Sequence, residues 1–186
     1  MTPIAARYRR LAHRFTDVID GVPAERWNDP SPCDGWSAMD VARHVVTTEA
    51  DFLTRMGFEA PAVAQPDDAT AVLAAWPAVR DAVQARLDDP ASADHEYDGW
   101  FGRTTFAATI DTFYSFDLAV HAWDLARAAE LDAFLEIPAD ELVAIRRAVE
   151  GMGEGARMPG VLGPALPVAD DADVQTRLLA DLGRRA

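Results

Sequence analysis

The sequence of 186 residues contains no lysine and only one cysteine, Cys33. A single cysteine cannot form a disulfide within the chain, so no internal disulfide holds this fold together. Sequences that do not use disulfides are typical of reducing compartments, and we therefore expect a cytoplasmic protein.

Basic charge of any kind is scarce. Arginine supplies all 17 basic residues against 31 acidic ones, which gives a net charge of −14 at pH 7. Nucleic acids and anionic membranes are both bound through basic surfaces. The charge balance therefore argues against nucleic acid and against a membrane as partners.

Long apolar runs are missing as well. The amino-terminal stretch MTPIAARYRRLAHRF is amphipathic and lacks the continuous apolar segment of a signal peptide. No run approaches the ~18 apolar residues that a membrane span requires. With 49% hydrophobic residues, the chain has the composition of a soluble globular protein that can bury a sizeable core.

The sequence is rich in helix signals. Apolar residues spaced by three or four, with start and stop signals, predict helices over 3–21, 37–56, 68–89, 105–130, 139–152 and 174–185. Strand signals are sparse, and only 93–105 and 165–168 are candidates for short extended segments. This pattern predicts an all-α, up-down four-helix bundle in residues 1–137, with residues 138–186 as an extension of one or two helices packing on it.

Individual residues define some of these helix limits. Pro3 suits the first position of the first helix, and Ser37 with Asp40 three residues later is close to a capping box for the second. Asp68 is a possible N-cap for the third helix. Pro77 lies inside that helix, so a kink or a division into two short helices is expected there.

The stretch SFDLAVHAWDLARA, residues 115–128, carries three ionisable groups in an apolar helix pattern. At about 100° per residue, Asp117, His121 and Asp124 fall in the centre of one apolar stripe. Charged groups are costly to bury without a partner. Either Asp117 hydrogen-bonds His121 inside the core, or both side chains bind one metal ion with a third ligand from another helix.

The second predicted helix offers such a ligand. His44 lies at the edge of its apolar face, beside Val41 and Phe52. From its position alone, it suits a surface role as well as a metal ligand. His13 lies off the apolar stripe of the first helix, and His95 lies in a polar loop, so neither is a comparable candidate.

Longer motifs surround these residues. The stretch WNDPSPCDGWSAMDVARH, which ends at His44, resembles the start of the second helix in the mycothiol-dependent maleylpyruvate isomerase family, a family of DinB-like metal-binding four-helix bundles. FDLAVHAWDLARA resembles the second signature of that family. The ending LPVADDADVQTRLLADLGR resembles a branch whose members are mostly uncharacterised, so the likeness covers nearly the whole chain.

The resemblance implies that His44, Asp117 and His121 are metal ligands. The family's isomerase has a glutamate where this chain has the shorter Asp117, and it carries a C-terminal accessory domain that the segment after residue 137 is too short to reproduce fully. Zinc is the default ion for two histidines and a carboxylate, with nickel or another transition metal as alternatives. Three protein ligands leave one position open for water or for the thiol of mycothiol.

The resemblance also implies a reaction. A divalent cation ionises a bound thiol near neutral pH, and the thiolate adds to an activated double bond. Rotation about the resulting single bond and loss of the thiolate give the trans isomer, whereas another electrophile would give S-transfer. The expected partners are a small-molecule thiol, with mycothiol as co-substrate, and a small electrophile, and the chain is expected to be a monomer or a homodimer.

Asp124 is a candidate for a supporting role. It either orients His44 or His121 from behind the site, or it pairs structurally with an arginine such as Arg43 or Arg127. We expect one of these two roles in preference to direct binding of the metal.

Three further residues have two interpretations each. Tyr114 shares the Asp117 face and either hydrogen-bonds in the site or belongs to the core. Arg103, just before the fourth helix, either binds a substrate carboxylate at the mouth of a pocket or is a solvated loop residue. Cys33 lies four residues before Ser37, and we expect a buried structural thiol rather than a nucleophile.

Three functions are therefore compatible with the sequence. The first is a thiol-dependent metalloenzyme, an isomerase or S-transferase, in which no catalytic side chain beyond the metal ligands is predicted. The second is a bundle that binds a metal or a small ligand without catalysis. The third is a bundle whose histidines and aspartates form only a buried polar network.

Overall fold

The computed structural model describes residues 1–63, 69–157 and 161–185. Within these residues the regular secondary structure is helical apart from one short hairpin, and a π-helical turn (Ile110–Tyr114) joins two of the helices. The helices and strands are α1 (Pro3–Gly21), α2 (Ala38–Arg55), α3 (Ala69–Asp88), α4 (Pro90–Ala93), β1 (Glu96–Gly99), β2 (Gly102–Thr105), α5 (Phe106–Thr109), α6 (Ser115–Ala128), α7 (Ala139–Met152) and α8 (Val174–Asp181).

Four of these helices form a bundle. α1 packs on α3 and α6, and α2 packs on the same two helices, so the four surround a common core. Fully buried side chains from all four fill it, among them Tyr8, Phe52, Trp76 and Leu118. The expected all-α helical bundle is confirmed.

The starts of α1 and α2 are as expected. The Thr2 hydroxyl accepts a hydrogen bond from the backbone N–H of Ala5. The Ser37 hydroxyl accepts one from the backbone N–H of Asp40 (3.2 Å), whose carboxylate accepts one from the backbone N–H of Ser37 (2.9 Å). This reciprocal pair is a capping box in which aspartate takes the place of the usual glutamate or glutamine.

The third helix differs in one respect from its prediction. α3 runs without interruption through Pro77, so the division into two short helices is wrong. The neighbouring helices of the bundle hold α3 together, since tertiary packing supplies most helix stability in proteins. The predicted N-cap, Asp68, lies outside the described residues.

The predicted fourth helix is composite. Thr105 caps α5, and the π turn then carries the chain into α6, which ends at Ala128 rather than at Glu130. A π turn closes hydrogen bonds from residue i to i+5 and therefore rotates the residues before it relative to those after it. A uniform 100° spacing is consequently valid only from Ser115 onward.

The two candidate extended segments have different outcomes. In the first, β1 and β2 pair as an antiparallel hairpin in which Glu96 faces Thr105. The second, 165–168, forms no strand, although the backbone N–H of Leu166 donates to the carbonyl of Ala180. The boundary at residue 137 stays a prediction.

A cluster of ion pairs attaches α7 to the bundle. Arg7 on α1 donates to the Glu141 carboxylate through Nε (2.9 Å) and Nη2 (2.7 Å), and to Asp111 in the π turn through Nη1 (2.8 Å). The Glu141 side chain is only 3% exposed. Arg10, which is largely exposed, adds one further hydrogen bond to it.

Replacing Arg7 with methionine should lower the free energy of unfolding by about 2 kcal/mol. Breaking a buried ion pair from one side typically costs more, but Arg10 still faces Glu141 after the substitution. Urea unfolding measures the change, and Arg9→Met, which removes an exposed pair with Asp88, should cost less than about 1 kcal/mol. Equal effects of the two substitutions would contradict a special role for Arg7.

Within the described residues, no helix combines the length and the apolar character needed to cross a membrane.

Candidate metal centre

The loop before α2 places Cys33 and Trp36 at the site. The backbone N–H of Trp36 donates to the carbonyl of Cys33 (3.0 Å), and the N–H of Ser31 donates to the carbonyl of Trp36 (2.8 Å). These bonds make a tight turn directly before the capping box. Because α2 starts there, His44 follows about two helical turns later and lies beside the indole of Trp36, with ring centroids 5.0 Å apart.

Three of the predicted residues lie together. Nε2 of His44 is 3.4 Å from Oδ2 of Asp117, and the rings of His44 and His121 meet edge to face with centroids 5.0 Å apart. One ligand atom from each of the three side chains lies within 4.8 Å of the other two. α2 and α6 thus present two imidazoles and a carboxylate to one point.

The depth of these residues differs from the expectation. His121 is buried, but the side chains of His44 and Asp117 are 30% and 29% exposed. The placement of Asp117 in the centre of a buried stripe is therefore wrong. The spacing identified the face of α6 that these residues share, but it does not show which part of that face the neighbouring elements bury.

The partner of His121 also differs from the expectation. Its Nδ1 lies 3.0 Å from Oδ2 of Asp124, one turn later on α6, whereas Asp117, one turn earlier, faces His44. The alternative in which Asp117 hydrogen-bonds His121 is therefore not observed. Asp124 supports His121 rather than His44.

Asp124 is completely buried and pairs with an arginine that the sequence did not indicate. Arg184, near the C-terminus, reaches it through Nη2 (3.1 Å) and Nε (3.3 Å), so the suggested partners Arg43 and Arg127 are wrong. Burial raises the pKa of Asp124, but the hydrogen bond with His121 and the charge of Arg184 outweigh this and hold the pKa below its usual value. Asp124 is therefore a carboxylate.

Cys33 lies against the same cluster. Its Sγ is 3.2 Å from Oδ2 of Asp124 and 4.0 Å from Nδ1 of His121. Burial, followed by the charge of Asp124, raises the pKa of the Cys33 thiol to about 12. Since only the thiolate is a good nucleophile, this thiol is unreactive at neutral pH.

Cys33, His121 and Asp124 are close enough to form a second set of metal ligands. A guanidinium nitrogen of Arg184, however, lies 3.2 Å from Sγ of Cys33 and 3.1 Å from Asp124. A cation already lies beside these donors, and a metal ion there would be repelled by it. The set formed by His44, Asp117 and His121 is the better metal site.

Two other candidates have structural contacts. The ring of Tyr114 stacks on Phe52, and its hydroxyl accepts a hydrogen bond from Arg55 (3.2 Å). Arg103 is 67% exposed and pairs with Glu96 across the hairpin (2.8 Å). Among the hydrogen bonds and ion pairs of the described residues, neither Tyr114 nor Arg103 contacts the three grouped side chains.

Sequence reasoning missed a buried acid beside the site. Glu49 on α2 is 1% exposed and accepts a hydrogen bond from the hydroxyl of Tyr8 (2.6 Å), while its Oε1 has no hydrogen-bond partner in the described part of the chain. Burial, and then the charge of nearby Asp117, raises the pKa of Glu49 to about 8 although the Tyr8 hydrogen bond lowers it. Its position among apolar residues of α2 was the available signal.

Residues 8–126, more than half of the chain, match the model of the mycothiol maleylpyruvate isomerase N-terminal domain. The chain belongs to this family. The matched range includes all of α2 and α6 as far as Ala126, and therefore all three grouped side chains, whereas Arg184 lies outside it.

Curated relatives come from Mycobacterium tuberculosis H37Rv. Uncharacterized protein Rv0036c is 29% identical over 146 residues, which cover 68% of this chain and 56% of the relative. Uncharacterized protein Rv0738 is 28% identical over 177 residues, which cover 92% of this chain and 88% of the relative. The chain thus spans little more than half the length of Rv0036c. No solved structure matches.

Family and geometry agree at a coarse level. The family is metal-binding and mycothiol-associated, and this member has a group of possible metal ligands in His44, Asp117 and His121.

Proposed function

We propose that the protein binds a divalent metal ion, zinc by default, through His44, Asp117 and His121, and uses it to activate a small thiol such as mycothiol for isomerisation or S-transfer on a small electrophile. The observation that carries the proposal is the convergence of these three donors, from two helices, within 4.8 Å of one another. Membership of the mycothiol maleylpyruvate isomerase family supports the choice of thiol.

The donors fit zinc in type, and two of them also fit it in spacing. Two imidazoles and one carboxylate are a set that catalytic zinc sites use, and nickel or another transition metal accepts the same donors. The 3.4 Å between Nε2 of His44 and Oδ2 of Asp117 is close to the ligand–ligand distance of roughly 3.4 Å in a tetrahedral site with bonds of ~2.1 Å. The fit requires little movement of these two side chains.

The surrounding residues suit an open catalytic position. His44 and Asp117 are partly exposed, so a thiol and an electrophile can approach from that side. Trp36 lies against both imidazoles, with its ring centroid 5.0 Å from that of His44 and its indole stacked on His121 at 6.0 Å. A divalent cation bound there would lower the pKa of a coordinated thiol so that it is ionised near neutral pH.

The expected partners follow from this chemistry. They are a small-molecule thiol and a small electrophile, with a cytoplasmic location and a monomeric or homodimeric state as further parts of the proposal. The net charge of −14 supports a small-molecule substrate over nucleic acid.

Activity with a small thiol and an electrophile tests the proposal. Zinc-loaded protein, without a histidine tag, is incubated with mycothiol and cis-configured activated alkenes, and isomerisation and loss of free thiol are followed separately. We expect turnover that stops on chelation and is absent in Asp117→Ala. Asp111→Ala, which alters an acid of the preceding π turn, should retain activity.

Two outcomes would contradict the proposal in different ways. Turnover that persists without metal would exclude metal activation of the thiol. Tight binding of zinc with no reaction across a broad panel of electrophiles would support the non-catalytic metal-binding bundle instead.

A further inference from the structure

We infer that Arg184 is a positioning residue of the metal centre: by holding Asp124 it keeps a proton on Nδ1 of His121, so that Nε2 is free to bind the ion. The inference rests on the proposed metal site. The C-terminal tail, which lies outside the part of the chain that matches the family model, thereby becomes a component of that site.

The end of α8 presents Arg184 in a defined way. The backbone N–H of Gly183 donates to the carbonyl of Ala180 (3.0 Å), and that of Arg184 donates to the carbonyl of Leu179 (2.8 Å). With Gly183 at φ +83°, these two bonds form a Schellman motif. The helix end therefore turns Arg184 back into the protein, where the residue is only 8% exposed.

All three guanidinium nitrogens of Arg184 donate hydrogen bonds. They donate to Oδ1 and Oδ2 of Asp124 (3.3 and 3.1 Å), to Sγ of Cys33 (3.2 Å) and to the carbonyl of Leu182 (2.7 Å). Contacts to both carboxylate oxygens fix the rotation of the Asp124 side chain. A planar group with several donors is suited to this task, and a lysine would contact fewer acceptors.

The fixed carboxylate decides the tautomer of His121. Asp124 accepts hydrogen bonds and lies 3.0 Å from Nδ1 of His121, so that nitrogen is the one that carries the proton. The unprotonated Nε2 is then the nitrogen available to an ion bound by His44, Asp117 and His121. Carboxylates that hold a metal-binding histidine in this manner commonly contribute 10-fold to 100-fold to metal affinity.

Two measurements separate positioning from simple attachment of the tail. The first is the tautomer of His121, read from the ¹⁵N shifts of its ring in the metal-free protein at a pH where the ring is neutral. The second is zinc affinity, measured by competition with a chromophoric chelator. Arg184→Met should reduce the Nδ1–H tautomer and weaken zinc binding by about tenfold.

Asp124→Asn should change the His121 tautomer and the zinc affinity at least as much as Arg184→Met does. The double variant should resemble Asp124→Asn alone, since both substitutions act through one contact. Arg157→Met is the matched control. Arg157 attaches the same tail by donating to the backbone carbonyl and the carboxylate of Asp181 (2.7 and 2.6 Å) without contacting Asp124. It should leave the tautomer and zinc affinity unchanged.

The inference is overturned if Arg184→Met keeps the wild-type tautomer, or if Arg157→Met changes it equally. If Arg184→Met does not fold, Arg184→Lys is measured instead, with an intermediate tautomer population supporting the inference and an unchanged one overturning it. The tautomer is read without metal. A wild-type protein that binds no zinc therefore refutes the proposed function, whereas the tautomer still shows whether Arg184 positions His121.

Discussion

Replacing His121 with asparagine is expected to weaken zinc binding by about 100-fold or more. Residues behind a metal site commonly contribute 10-fold to 100-fold to affinity, and a direct ligand should contribute at least as much as the upper value. His121 is also the ligand that is buried and held by Asp124, so solvent does not replace it readily. Competition with a chromophoric chelator gives the affinity, and elemental analysis gives the stoichiometry.

His13→Asn is the matched control. His13 lies on α1 and is exposed, so it reports non-specific binding of zinc by a surface histidine. We expect one zinc per chain and wild-type affinity in this variant. Equal losses in His13→Asn and His121→Asn, or an unchanged affinity in both, would show that the grouped side chains do not form the site.

The second large effect concerns the pH dependence of stability. Glu49 is buried against Tyr8, and burial raises its pKa from 4.5 to about 8. Between these two values the folded protein holds a proton that the unfolded chain has released. The free energy of unfolding therefore falls as pH rises through this window, by up to 1.36 kcal/mol per pH unit, whereas below 4.5 the stabilisation is fully present.

Glu49→Gln should remove this slope, because the amide cannot ionise. The comparison uses chelator-treated protein. Between about pH 5 and about pH 7.5, the unfolding free energy of wild type should fall by about 3 kcal/mol relative to that of Glu49→Gln. Chemical denaturation at each pH measures it. Glu59→Gln, at an exposed site after α2, is the control, and its unfolding free energy should change with pH in parallel with that of wild type. A Glu49→Gln curve that is also parallel to wild type would refute the prediction.

The parts of the fold that were predictable are those that local chemistry controls. The Ser37 capping box starts α2 as expected, because both of its hydrogen bonds join residues three apart. The π turn before α6 was not predicted, and the sequence left open whether Pro77 would kink α3 or divide it. Both depend on how the four helices pack, and residue spacing along the chain does not record that packing.

The candidate site divides in the same way. Spacing placed Asp117 and His121 on one face, while His44 needed the resemblance to the family, since its place on its own helix was equally compatible with the surface. Arg184 had no signal at all, because it is 60 residues from Asp124 in sequence and meets it only through the Schellman turn after α8.

The sequence by itself determined the helical class and the starts of α1 and α2, since periodicity and capping are local properties of the chain. Only the tertiary structure decided that Asp124 supports His121, that Arg184 completes this support, that Cys33 is unreactive and that Glu49 is a buried acid. Each of these depends on which distant group lies within a few ångströms and on how much water is excluded, and the protonation of a buried group follows from both.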